Sequence, residues 1–145
     1  MMTSQNLENL VKTGSLKSEP ASQGEFNGLL RSAKARLTDA GNTSLAMESR
    51  FDLAYNASHA LALAALRWHG YRSDNRYIVF QCLQHTLDIK PEIWRVLAQC
   101  HQRRNVAEYE GHLEVSDQLL GELIAAANLL QMKIEAMTPI KPVAP

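Results

Sequence analysis

The sequence predicts an all-α protein, an antiparallel up-and-down bundle of four to five helices. Three observations carry this. Apolar residues recur at helical spacing in one segment after another. Cap and stop residues, rather than hairpin turns, separate those segments. No stretch shows the convincing period-two alternation of a half-buried strand. At 145 residues the chain is long enough for one real core. Its connections are short enough for consecutive helices to pack side by side. Residues 1–24 read as a polar segment holding one short helix, 25–137 as a single helical domain, and 138–145 as a flexible Pro-containing tail.

The elements follow in order. Leu7, Leu10 and Val11 sit at helical spacing, with Ser4 as a cap and Gly14 as a stop, so a short helix is expected over 5–12 and an irregular link through Pro20. Phe26, Leu29, Leu30, Ala33 and Leu37 stripe a helix over 24–40 that Gly41 ends. Ser44 can cap the longest helix, 45–69, which Gly70 stops. Its midsection carries Ala54, Ala57, Ser58, Ala60, Ala62, Ala64 and Ala65, small residues that let neighbours approach closely, so it is the central helix. Ser73 can cap a helix over 74–87. Pro91 suits the first position of the next, whose inward stripe is Ile93, Trp94, Leu97 and Cys100. Gly111 breaks that run, and Ser116 or Asp117 starts a last helix to about Met137. The prolines from 139 on end it.

Charge narrows the function. Lys and Arg total 15, Asp and Glu 15, a balance that argues against a nucleic-acid coat or a membrane-surface protein. Locally the balance breaks. From Leu66 to Arg104 the basic residues are Arg67, Arg72, Arg76, Lys90, Arg95, Arg103 and Arg104, against Asp74, Asp88 and Glu92. From Asn105 to Met137, Lys133 alone faces Glu108, Glu110, Glu114, Asp117, Glu122 and Glu135. Such polarity suits head-to-tail or dimer contacts, or a basic face for an anionic partner; two ordinary solvated faces explain it as simply. Cys82 and Cys100 lack metal spacing and lie among apolar residues, which reads as buried free thiols in a reducing cytoplasm. No signal peptide and no bilayer-spanning run is evident.

The boundary between the two charge regimes is the run RNVAEY, Arg104 to Tyr109. Phosphate-binding glycine loops, HExxH, paired CxxC, GxSxG and EF-hand patterns are absent from the sequence. What RNVAEY offers instead is Arg104 for an anionic phosphate, Asn105 to orient it, and Tyr109 to stack on a base. Arg103, Glu108, His101 and His112 flank it as binding candidates. A metal site on His101, Asn105, Glu108 and His112 would need the helix to run through Gly111, so no metal and no cofactor is expected. Each residue also has a plain structural explanation. Arg103 and Arg104 complement a helix C-terminus, Arg104 can pair with Glu108 four residues on, and Asn105 and Tyr109 can fasten a turn.

Three stretches carry a resemblance: RFDLAYNASHALALAALRWHG (50–70), SDNRYIVFQCLQHTL (73–87), and RNVAEY followed by LEVSDQLLGELIAAANLL. Their order and spacing over residues 45–137 resemble HEPN domains, small prokaryotic helical bundles of toxin–antitoxin, defence and nucleotidyltransferase-linked systems. In ribonucleolytic members an arginine, often followed by a polar residue, precedes a histidine by four to six positions. Carried over, these are Arg104, Asn105 and, in the histidine's place, Tyr109; His112 lies too far on. Other branches end in alanine–acidic–tyrosine, like Ala107, Glu108 and Tyr109. The resemblance implies a homodimer with the two RNVAEY turns close together, binding RNA, a nucleotide or a nucleotidyltransferase-type partner without catalysis. Tyrosine, with a pKa near 10, is a poor base at neutral pH. Two alternatives stay open: a metal-independent ribonuclease using Arg104, and a helical adaptor with no nucleic-acid role.

Overall fold

The computed structural model describes residues 2–140; the end of the expected mobile tail, from residue 141, lies outside them. The chain is mostly helical. α1 (Met2–Lys12) is followed by a two-residue strand β1 (Lys17–Ser18), α2 (Gln23–Ala40), α3 (Met47–Trp68), β2 (Tyr71–Arg72), α4 (Arg76–Gln81), α5 (Leu83–Thr86), α6 (Pro91–Glu110) and α7 (Asp117–Glu135). α3 is the centre: it packs along α2 and α7 and also meets α4, α5 and α6. Its alanines are why. Ala54, Ala57, Ala64 and Ala65 are fully buried, and so are Phe51, Leu61 and Leu66. Small side chains at several positions around one helix let more than one neighbour come close. Among the described residues no helix is long and apolar enough to cross a membrane.

Local signals explain most boundaries. The Ser22 and Ser116 hydroxyls accept the N–H groups of Glu25 and Leu119, capping α2 and α7. Pro91 opens α6. Gly70 and Gly111 take positive φ, +89° and +79°, at the ends of α3 and α6. Gly41 ends α2 differently, in an ordinary right-handed conformation.

Several expectations need correction. α1 begins ahead of Ser4, which therefore lies inside the helix and is no cap. α3 starts at Met47, without a side-chain cap, because the Ser44 hydroxyl and N–H both bind Asn42 Oδ1 in the preceding turn. Asn75 rather than Ser73 caps α4, accepting from Ile78 N–H at 3.2 Å, and the helix expected over 74–87 divides at Cys82. The strand pair was not foreseen. It aligns Lys17 with Arg72 and Ser18 with Tyr71, antiparallel, too short for any alternation to register in sequence.

The N-terminal segment belongs to the bundle. Leu7 and Leu16 are buried in the common core. The strap from Lys17 to Pro20 is held by Arg67, whose side chain is 2% exposed. The Arg67 guanidinium donates to the carbonyls of Glu19 (2.9 Å), Pro20 (2.6 Å) and Tyr71 (3.3 Å) and to Glu25 Oε1 (2.5 Å). Arg72 pairs with Glu19 at 2.9 Å and also with Glu25. Burial alone would raise the Glu25 carboxyl, but the hydrogen bonds from Arg67 and Arg72 outweigh it and hold its pKa below the ordinary value. At the other terminus, Trp68 Nε1 donates to Thr138 O (2.8 Å) and Ile140 N–H to Gln23 Oε1 (2.7 Å).

Both cysteines are buried and free. Burial pushes each thiol up to about 12, which keeps them protonated at neutral pH.

Candidate functional site

α3 is not apolar all round. Asp52, Tyr55, Asn56 and His59 stand at i, i+3, i+4 and i+7 and so share one face. Toward that face α4 brings Arg76, and α6 brings His101, Arg104 and Asn105, again at i, i+3 and i+4. Tyr55 joins the three helices. Its ring is buried, with the Arg76 guanidinium 5.5 Å and that of Arg104 5.0 Å from the ring centroid. The His101 ring lies nearly parallel to it at 6.3 Å, and Phe80 meets it edge-on at 6.0 Å.

Polar contacts complete the cluster. Arg104 Nη2 pairs with Asp52 Oδ1 at 2.9 Å. Arg76 Nη1 donates to Asn56 Oδ1 (3.3 Å), and Asn56 Nδ2 donates to the Asp52 carbonyl (2.9 Å). Tyr55 Oη and His101 Nδ1 share a hydrogen bond of 2.8 Å, and Asn105 Nδ2 lies 3.3 Å from His101 Nε2. The tautomer that satisfies both contacts carries its proton on Nδ1, which donates to Tyr55 Oη. Nε2 then accepts from Asn105.

Two neutral imidazoles result. Burial, reinforced by Arg76 and Arg104, lowers the His101 pKa below its usual value. Burial, then Arg76 and His101, lowers His59 to about 4. The arrangement is a partly open site with two guanidiniums for an anion and a neutral imidazole against the same tyrosine ring, suited to phosphate binding and to proton abstraction.

The nominated residues separate. His101, Arg104 and Asn105 come together. Glu108 is exposed and lines the groove beside Asp52 and Arg104, but Arg104 pairs with Asp52 on another helix rather than with Glu108. Arg103 and His112 line a different groove of about 390 Å³ with Gln99, Val106 and Glu110, and His112 Nε2 lies 4.0 Å from Glu114. Tyr109 is 92% exposed and takes no part in the cluster. The helix does run through RNVAEY to Glu110, yet Glu108, Tyr109 and Glu110 on its last turn are exposed. His101, one turn before Arg104, is the imidazole in the cluster, where the family pattern placed Tyr109. Among the described residues no three His, Cys, Asp or Glu side chains are grouped to hold a metal ion.

No known protein family, curated protein or solved structure matches this chain. The site therefore rests on its own geometry. Asp52, Tyr55, Asn56, His59 and Arg76 escaped sequence reasoning. For the four on α3 the signal was present as a polar stripe at helical spacing in a helix otherwise rich in alanine and leucine; Arg76 stands at the head of α4 and carries no such signal.

Proposed function

We propose that this chain is a HEPN-like helical module that binds RNA or a nucleotide by its phosphate, at Arg104, His101, Asn105 and Arg76. The observation that supports the reading most is the pair of guanidiniums gathered over one buried tyrosine beside a neutral histidine. Two arginines drawn to one ring concentrate positive charge where planar N–H donors suit a phosphate. The module works as a cytoplasmic homodimer, alongside a toxin–antitoxin, defence or nucleotidyltransferase-type partner, as the resemblance implies.

A second reading is favoured by one specific contact. Among the described residues, His101 Nε2 accepts a hydrogen bond from one exposed side chain, Asn105. An RNA 2′-hydroxyl displacing that amide would give its proton to Nε2. The 2′-oxygen would then attack phosphorus to form a 2′,3′-cyclic phosphate while Arg76 and Arg104 hold the phosphoryl oxygens, and the P–O5′ bond would break with the 5′-oxygen taking a proton from water. That is metal-independent cleavage.

The test uses purified protein with EDTA present, wild type beside Arg104→Ala and His101→Ala, scored for RNA binding and for cleavage. Binding lost in Arg104→Ala supports the first reading. Cleavage lost in both variants supports the second. If the wild type neither binds nor cuts RNA or nucleotides, the adaptor reading replaces both.

A further inference from the structure

Next to the cluster, between α4 and α6, runs a groove of about 450 Å³ lined by Tyr77, Arg95, Gln99, His101, Gln102 and Asn105. His101 and Asn105 belong to the phosphate site, so the groove is its direct continuation. Tyr77 is its most unusual member. An aromatic ring on an α4 facing the core would be buried, as Val79 and Phe80 are, yet Tyr77 is 43% exposed. Its ring meets Trp94 edge-on, with centroids 6.3 Å apart and an interplanar angle of 83°. Arg95, which also lines the groove, lies over the same indole at 5.8 Å. Gln99 and Gln102 are exposed on its α6 wall, each amide supplying both a donor and an acceptor.

A partly exposed tyrosine ring beside an arginine, with two glutamine amides in the same groove, has the chemistry of a base-stacking platform. We infer that this groove seats a nucleobase of single-stranded RNA adjoining the phosphate held at Arg104, with Tyr77 as the stacking surface and Gln99 and Gln102 as readers of the base edge. The inference rests on the phosphate-site reading and extends it to a specificity element.

The experiment measures binding of two probes by fluorescence anisotropy and competition: a short labelled oligoadenylate, and inorganic polyphosphate, which has charge but no bases. Proteins compared are wild type, Tyr77→Leu, Tyr77→Phe and Arg104→Ala, each checked by thermal melting. Tyr77→Leu keeps apolar bulk without a π-face and is expected to weaken oligoadenylate about ten-fold, leaving polyphosphate unchanged. Tyr77→Phe keeps wild-type affinity for both probes. Arg104→Ala weakens both. If Tyr77→Leu binds oligoadenylate like wild type while Arg104→Ala does not, the base site is overturned and the phosphate site stands. Equal weakening of both probes by Tyr77→Leu also overturns the base site. If wild-type protein binds neither probe, both readings fall together.

Discussion

Arg67 and Arg104 are two arginines on helices of the same core, and their surroundings differ in kind. Arg67 is sealed. Its side chain is 2% exposed, and its guanidinium is occupied by three carbonyls and the carboxylates of Glu19 and Glu25. Arg104 is half-met. Its side chain is 30% exposed, its one carboxylate partner among the described residues, Asp52, is 48% exposed, and its guanidinium lies over the face of Tyr55. A sealed guanidinium has no N–H left for a ligand and acts as a fastener. A half-met one keeps donors at the surface, where an anion can exchange with a weakly held carboxylate. Sequence position tells neither apart; the partners do.

The contrast breaks most decisively at Arg67. Arg67→Ala removes one side of a buried ion network and leaves carbonyls and carboxylates of the N-terminal strap unpaired, a loss of about 3–5 kcal/mol. The melting midpoint should fall on the order of 10 °C. A drop of only a degree or two would show that the strap is held mainly by Leu7 and Leu16.

Acid should separate the two regions next. His59 is held neutral with a pKa of about 4 against an ordinary 6.5, so the unfolded chain binds a proton that the folded chain refuses. Its stabilising share is complete above pH 6.5 and is lost as pH falls toward 4, by about 3 kcal/mol. Burial shifts His101 in the same direction and adds to the slope. Glu25, with its pKa lowered from 4.5, starts to weaken the Arg67 network only below that pH. Denaturant titrations across this range should show the loss in wild type and a shallower slope in His59→Gln. Equal slopes would mean that His59 titrates freely in the fold.

Arg104→Ala comes third. A half-exposed ion pair and one cation–π contact are worth about 1 kcal/mol together. Melting should therefore shift little while RNA binding is lost. A shift as large as that of Arg67→Ala would make Arg104 a second fastener. The smallest effect belongs to Tyr109→Ala, which should change stability by less than about 0.5 kcal/mol and leave binding unaltered, since the ring touches no part of the cluster. Lost binding in this variant would return RNVAEY to the centre of the site.

Legibility in the sequence followed the reach of each interaction. Stripes such as Phe26, Ala33 and Leu37, the stops at Gly70 and Gly111, and Pro91 at the head of α6 are local, and they mark the helices. Arg104, Asn105 and His101 were nominated because they sit on one helix. Their partners Asp52, Tyr55 and Arg76 lie on α3 and α4, and only packing reveals which distant polar residue meets which. Arg67 shows the same limit from the other side. It reads as one more basic residue in a cationic stretch, and its burial depends on carbonyls 47 and 48 residues earlier in the chain. The Tyr109 expectation came from the residue types of RNVAEY and from a family spacing. On this chain that spacing falls on the last exposed turn of α6.

Tyr55 has one more use. Its ring touches both guanidiniums and the site imidazole while remaining out of solvent. Fluorotyrosine at this position, one of only 4 tyrosines in the chain, would give a resolvable resonance whose shielding depends on charges stacked against the ring. A ligand that draws either arginine outward would move that signal without touching the ring itself, so the molecule carries its own spectroscopic gauge of site occupancy.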